Sequence, residues 1–244
     1  MKCLIIAAGM GTRLRSRAEV KPLAPLHGVP LIERVIRLAR AGGASGFVVA
    51  TGYESARLEA FLAPLADRLE VPVATAHNPH WERPNGHSVL AAADLLVGDF
   101  LLLMADHLFD PAIVSLLIAE RRPEAALTLA ADRRLDSPTL DIDDATKLLL
   151  GEDGRIRGIG KTIEPYDAVD TGLFLATPRL LEALRASIAA GAAGSLSDGV
   201  QRLAEAGEAW TLDIGDRWWI DVDDEAAFAR AEASLPKTIK QVIA

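Results

Sequence analysis

The sequence predicts an α/β protein: a doubly wound, mostly parallel sheet with helices on both faces and a β-rich subdomain over the cleft. Three observations carry this. Apolar runs of strand length recur at 3–8, 47–51, 71–76, 100–105 and 125–131. Helical spacing fills the gaps between them, as a βαβ chain with right-handed crossovers requires. Four of the five runs are apolar on both faces, the mark of central parallel strands covered by helices.

The elements follow in order. Residues 2–8 run unbroken into Gly9-Met10-Gly11, so the first strand ends in a two-glycine turn. Over 31–41, Leu31, Val35, Leu38 and Ala39 share one helical face. Over 56–69, Leu58, Phe61, Leu62 and Leu65 do the same. A helix over 88–96 follows the turn Asn85-Gly86. Another over 111–119 starts at Pro111 behind Asp110, a residue suited to cap it. Further on, 148–150 and 155–159 flank Gly151-Glu152-Asp153-Gly154 as a hairpin. Residues 169–175 read as a buried strand, 178–189 and 197–206 as helices, 210–214 and 217–221 as short strands, and 224–233 as a last helix. No repeat, low-complexity segment or flexible linker divides the chain. One domain is therefore expected over 1–235, with 236–244 as a tail.

At 244 residues the chain can bury on the order of 70% of its unfolded surface. Its net charge of −8 argues against a nucleic-acid binder, which would present a basic face. The one cysteine, Cys3, lies inside the first strand and reads as a small buried apolar residue. No internal disulfide is possible, which fits a reducing cytoplasm. No apolar stretch reaches ~18 residues, and the N-terminus enters a strand directly, so neither a transmembrane segment nor a signal peptide is expected.

Against this acidic background, Arg13, Arg15, Arg17 and Lys21 cluster just after the glycine turn. Glycines admit phosphate oxygens to backbone N–H groups, and cations supply charge where anions gather. The pattern predicts a polyphosphate site. Two better-known phosphate loops are excluded by the letters. Leu14 stands where the dinucleotide fingerprint needs its third glycine, and no acidic residue ends the next strand. No Gly-Lys-Ser/Thr follows Gly11, so this is not a P-loop.

In an open parallel sheet, ligands bind beyond the carboxyl ends of the strands. Asp106 sits there, after 100–105. A desolvated carboxylate at that point calls for a cation, and Mg²⁺ beside a triphosphate meets the need. Asp221 and Asp223 are candidates for a second carboxylate, although one of them is expected to cap the last helix. If Lys161 and Asp170 reach the same cleft, they suit an acceptor phosphate and a hydroxyl. Their spacing fits a surface lysine and a turn aspartate equally well. His77, His80, His87 and His107 show no zinc-like spacing. Trp81, Trp218 and Trp219 read as packing residues. The polar, turn-rich stretch 78–88 is placed to read a base edge.

Leu4-Ile5-Ile6-Ala7-Ala8-Gly9-Met10-Gly11-Thr12-Arg13-Leu14 followed by Lys21-Pro22-Leu23 resembles the nucleotidyltransferases that join an NTP to a sugar phosphate or phospho-alcohol. Within them, Asn85-Gly86-His87-Ser88, Met104-Ala105-Asp106-His107, Ile159-Gly160-Lys161 and 167–172 look most like CTP:inositol-1-phosphate cytidylyltransferases. Ala105 stands where glycine would be expected, a small-for-small change. The resemblance implies a nucleotide-binding half over about 1–132 and an acceptor-binding half over about 133–235. It implies a nucleotide site at Ala7, Ala8, Gly9, Gly11, Thr12, Asn85, Gly86 and Ser88, with Arg13 and Lys21 catalytic. Mg²⁺ would sit on Asp106 with Asp221 or Asp223, and Lys161 and Asp170 would face the acceptor. CTP and inositol 1-phosphate are the substrates implied. Family members of this kind can be fused to a membrane-embedded CDP-alcohol phosphotransferase, so 236–244 reads as a natural tail or as the cut edge of a longer protein. A homodimer remains open. A nucleotide-sensing domain without turnover would be expected to lack Lys21 or Asp106, and both are present.

Overall fold

The structure, a computed structural model, describes residues 1–137 and 140–242. In chain order the elements are β1 (Lys2–Ile6), β2 (Pro25–Leu26), β3 (Val29–Pro30), α1 (Leu31–Ala41), β4 (Gly46–Thr51), α2 (Ser55–Leu69), β5 (Val73–His77), α3 (Gly86–Ala91), β6 (Phe100–Met104), β7 (His107–Phe109) and α4 (Pro111–Ala119). They continue as β8 (Leu127–Asp132), β9 (Lys147–Leu150), β10 (Ile156–Gly160), β11 (Ala168–Ala176), α5 (Arg179–Ala189), α6 (Leu196–Glu205), β12 (Ala209–Asp213), β13 (Trp219–Asp221), α7 (Glu225–Ser234) and α8 (Lys237–Val242).

The main sheet runs β10-β9-β11-β6-β1-β4-β5, with β8 beside β11 and β12 beside β8. Strands β6, β1, β4 and β5 are parallel. Alternation along each strand feeds two cores. Cys3, Ile5, Leu101 and Leu103 pack on one face with α1, α2 and α4. Leu4, Phe100 and Leu102 pack on the other with α3, α5 and α6. Helices on both faces thus follow from strands without a polar side. Burial lifts the Cys3 thiol well above its usual range, so it stays protonated and inert.

Some details differ from expectation. The apolar run at 125–131 yields β8, which is not among the parallel strands around β1. It lies beyond β11, which is antiparallel to both β6 and β8. The hairpin β9–β10 extends the same sheet through β11. The helix expected over 88–96 ends at Ala91 and tightens into a 3₁₀ turn at Ala93–Leu95. Residues 237–242, read as tail, form α8, which rests on α1 and is anchored by buried Ile239. Residues 243 and 244 lie outside the described residues.

Candidate active site

Registry places the site. Ile6 of β1 pairs with Met104 of β6, so the loops after both strands leave the sheet together. Ala105 N–H donates to the Ile6 carbonyl at 3.1 Å, which brings Asp106 beside the glycine turn. Strand β7 follows Asp106 at once and pairs with β13, with His107 opposite Asp221. Val222 N–H donates to the Asp106 carbonyl at 3.0 Å, which draws in Asp223. Two segments more than 100 positions apart in sequence therefore deliver Asp106, His107, Asp221 and Asp223 to one place. Neither Asp221 nor Asp223 caps α7, the helix expected over 224–233. Asp224 does, accepting from Ala227 N–H at 2.7 Å, which leaves Asp221 and Asp223 to the cleft.

Gly11 has φ +60°, and a Cβ there would come within 2.7 Å of Lys21 Cδ. Glycine at this position clears the path of the lysine stem. Gly9 has nothing within 4 Å of a Cβ position, so its backbone is open to a ligand. Lys21 is buried, and its Nζ donates to Asp106 Oδ2 and Asp223 Oδ1. Burial opposes its charge, but Asp106, Asp223 and Asp221 outweigh that and hold the ammonium above the usual lysine range. Burial likewise opposes the charge on Asp106, and Lys21 and His107 overcome it, keeping Asp106 ionised. Asp223 is shifted the other way. Burial and the charges on Asp221 and Asp106 outweigh its share of Lys21 and push its carboxyl up.

Two clefts meet here. The first, about 280 Å³, is lined by Ala7, Gly9, Gly11, Lys21, Asn85, Ser88, Asp106 and Asp223, with Trp81 and Arg83 closing it. The second, about 180 Å³, is lined by Arg13, His107, Asp144, Lys161, Asp170, Asp221, Asp223 and Arg230, among others. Convergent polar groups line both, as they do small-molecule sites. Asp223 and Asn85 belong to both walls.

Most of the expected residues line these clefts, and some do not. Ala8, Thr12 and Gly86 lie outside both linings. Ala8 accepts from Tyr53 N–H at 2.9 Å. Gly86 is buried where a Cβ would overlap the Gly194 carbonyl and approach Leu184 Cδ2 to 2.8 Å. Its small size therefore serves helix packing. Asn85 accepts from Leu196 N–H at 2.8 Å and ties α3 to the start of α6. Of the four clustered cations, only Arg13 and Lys21 face the clefts. Arg15 sits by Tyr53, and Arg17 pairs with Glu225 at 2.8 Å over the Phe228 ring. Short turns after Gly11 rotate those two side chains away.

Arg13 bonds Asp144 at 2.9 Å and also Asp223, and Lys161 bonds Asp144 from the other side. Asp144 is thereby an internal anion between the two cations an acceptor phosphate would meet. Asp170 accepts from Gly172 N–H at 2.7 Å. Burial nonetheless pushes its carboxyl up to about 6, against the pull of Gly172 and His107. Arg230 carries no signal in the sequence, His107 is read there only against zinc, and Trp81 and Arg83 fall within the stretch 78–88. Arg230 lies one turn beyond Ala227 on α7, and its buried Nε has no hydrogen-bond partner. Trp81 packs edge-on to Tyr53, with ring centres 5.3 Å apart.

The donor chemistry fits a divalent cation. Among the described residues, Asp106, His107 and Asp221 offer ligand atoms all within 4.8 Å of one another. Asp221 Oδ1 is buried without a hydrogen-bond partner. Burial would lower the His107 pKa, but Asp221 and Asp106 raise it to about 10, and this ring joins Lys21 and Arg13 in balancing three carboxylates.

The family described as the MobA-like NTP transferase domain matches residues 3–206. The chain belongs to that family. It is a nucleotidyltransferase by that family, and the names printed for its relatives are those of transferases. A "Bifunctional IPC transferase and DIPP synthase" of Rubrobacter xylanophilus is 37% identical over 90% of this chain and 48% of its own length. The protein of that name from Thermococcus kodakarensis is 29% identical over 97% of this chain and 51% of its own length. The chain thus spans about half the length of these relatives. Among solved structures, the inositol-1-phosphate CTP transferase from T. maritima superposes with a TM-score of 0.82 at 25% identity, covering 99% of this chain and 94% of that one. No helix among the described residues is long and apolar enough to cross a membrane.

Proposed function

We propose that this nucleotidyltransferase moves CMP from CTP to inositol 1-phosphate, giving CDP-inositol and pyrophosphate, with Mg²⁺ required. The observation that carries the reading is the shared wall. A glycine loop with buried Lys21 opens on one side of Asp223, and Arg13 and Lys161 open on the other.

An acceptor phosphate oxygen attacks the α-phosphorus of the nucleotide. The bond from that phosphorus to the bridging oxygen breaks, and pyrophosphate leaves. The nucleophile is already an anion, so no general base is needed. The work is to bring two anions together and disperse charge on the phosphorus. Lys21 suits the transferring phosphoryl group, and Arg13 and Lys161 suit the acceptor phosphate. The carboxyl groups of Asp170 and its neighbours suit the hydroxyls of a polyol. Asp106, with Asp221 or Asp223, would hold Mg²⁺, which supplies charge neutralisation to the phosphate oxygens when bound.

The acceptor and base are supported by the printed name of the T. maritima protein, an inositol-1-phosphate CTP transferase. A second reading, uridylyl transfer to a hexose 1-phosphate, is favoured by one relative. The "UTP--glucose-1-phosphate uridylyltransferase AglF" of Haloferax volcanii is 25% identical over 88% of this chain and 91% of its own. Pyrophosphate release, screened with each of the common NTPs against a panel of phospho-alcohols and sugar 1-phosphates, separates the two. CTP with inositol 1-phosphate should give the highest kcat/KM. A faster reaction with UTP and a hexose 1-phosphate would overturn the first reading.

A further inference from the structure

We infer that His107 Nε2 is a metal ligand, completing with Asp106 and Asp221 a mixed nitrogen–oxygen set that favours a divalent first-row transition ion over Mg²⁺. The inference rests on the metal-dependent reading above and deepens it.

The backbone is shaped around this ring. Strand β11 breaks register between Asp170 and Phe174, and within the break Gly172 takes φ +76°. A Cβ on Gly172 would lie 2.6 Å from His107 Cε1 and overlap Nδ1. Only glycine both adopts this conformation readily and leaves room for the imidazole. The break also turns the Thr171 carbonyl toward the ring, 2.7 Å from Nδ1. A carbonyl can only accept, so Nδ1 carries the proton. An ion that displaces the proton on Nε2 meets its lone pair in the orientation metal-binding histidines adopt when a carbonyl holds the other nitrogen.

What Nε2 faces is two carboxylates. It lies 3.4 Å from Asp221 Oδ1 and 3.8 Å from Asp106 Oδ1. Two ligands each about 2.1 Å from one ion stand roughly 3–4 Å apart, so these separations suit a common centre. Asp221 Oδ1 is buried, and its contact with Nε2 is long for a hydrogen bond at 3.4 Å. A buried acceptor left in this way lacks a partner that an ion would provide. Nitrogen ligation raises affinity along the first-row series, whereas Mg²⁺ prefers oxygen donors.

The test uses the full chain, stripped of metal and loaded with Mn²⁺ alone. Pulsed EPR should detect ¹⁴N coupling from a bound imidazole in the wild type and not in His107→Asn. Co²⁺ affinity should fall on the order of tenfold in that variant, while Mg²⁺ affinity, measured by competition, stays near wild type. Gly172→Ala removes no ligand yet crowds the ring, and should weaken Co²⁺ binding in the same direction. Mn²⁺ bound without ¹⁴N coupling in the wild type would overturn the inference and leave metal-dependent transfer standing. Absence of Mn²⁺ uptake, with or without CTP, would overturn both.

Discussion

Lys21→Met removes an ammonium whose side chain is 9% exposed and which Asp106 and Asp223 share. Methionine keeps most of the stem beside Gly11, so the change is chiefly one of charge. Breaking a fully buried pair costs about 3–5 kcal/mol, because the abandoned charge stays desolvated. Here the two carboxylates retain 22% and 26% exposure, and His107 and Arg13 remain beside them. Water and those cations absorb part of the loss, and the stability cost falls to about 1–2 kcal/mol. The catalytic loss is larger. A fixed charge aimed at a transition state is worth about 10²–10³ in kcat, or about 2.7–4 kcal/mol. The variant should therefore fold and turn over very slowly at saturating substrates. Because the ammonium and a divalent ion seek the same carboxylates, added Mg²⁺ should stabilise the variant against urea more than it stabilises the wild type. Pyrophosphate release and urea unfolding read the two effects separately. A kcat near wild type would refute the role assigned to Lys21.

Other perturbations follow from the same geometry. Asp106→Asn should abolish the dependence of rate on Mg²⁺ concentration, and an unchanged dependence would make Asp106 purely structural. Asp170, with a folded-state carboxyl pushed up to about 6, holds its proton longer folded than unfolded. Its contribution to stability is complete below about pH 4 and is lost as pH rises through about 6. Asp170→Asn, measured by urea unfolding, should therefore gain on the wild type by about 1–3 kcal/mol between pH 4 and 7. Gly86→Ala should cost about 1–3 kcal/mol by overpacking against Gly194 and Leu184, visible as a lower Tm. Arg230→Met should raise the acceptor KM and leave the KM for the nucleotide nearly unchanged, since Arg230 lines only one cleft.

The parallel half was legible because buried strands and amphipathic helices carry different periods. Leu31, Val35 and Leu38 could hardly read otherwise. Asp106 was legible because a carboxylate ending an apolar strand has few reasons to be there. What stayed hidden depends on pairing across distance. Strand β7 is three residues long and carries no period of its own, so nothing local tied His107 to Asp221. The adjacency of His107 to Asp106 was the one available signal. Arg15 and Arg17 share the sequence neighbourhood of Arg13 but not its direction, because the 3₁₀ turn at Thr12–Leu14 turns them away. Gly11 was recognised for openness to phosphate, yet its contact is with the stem of Lys21. Arg230 lies on a helix whose inward side is decided by the position of α7 over the cleft, which no short window encodes.

Asp223 is gripped by Arg13 from one cleft and Lys21 from the other. A ligand that draws either cation away alters what the carboxylate offers to its remaining partner. Occupancy on one side is thus felt on the other through a single rigid intermediary. By thermodynamic reciprocity, whatever factor the first substrate applies to the dissociation constant of the second must be returned in equal measure.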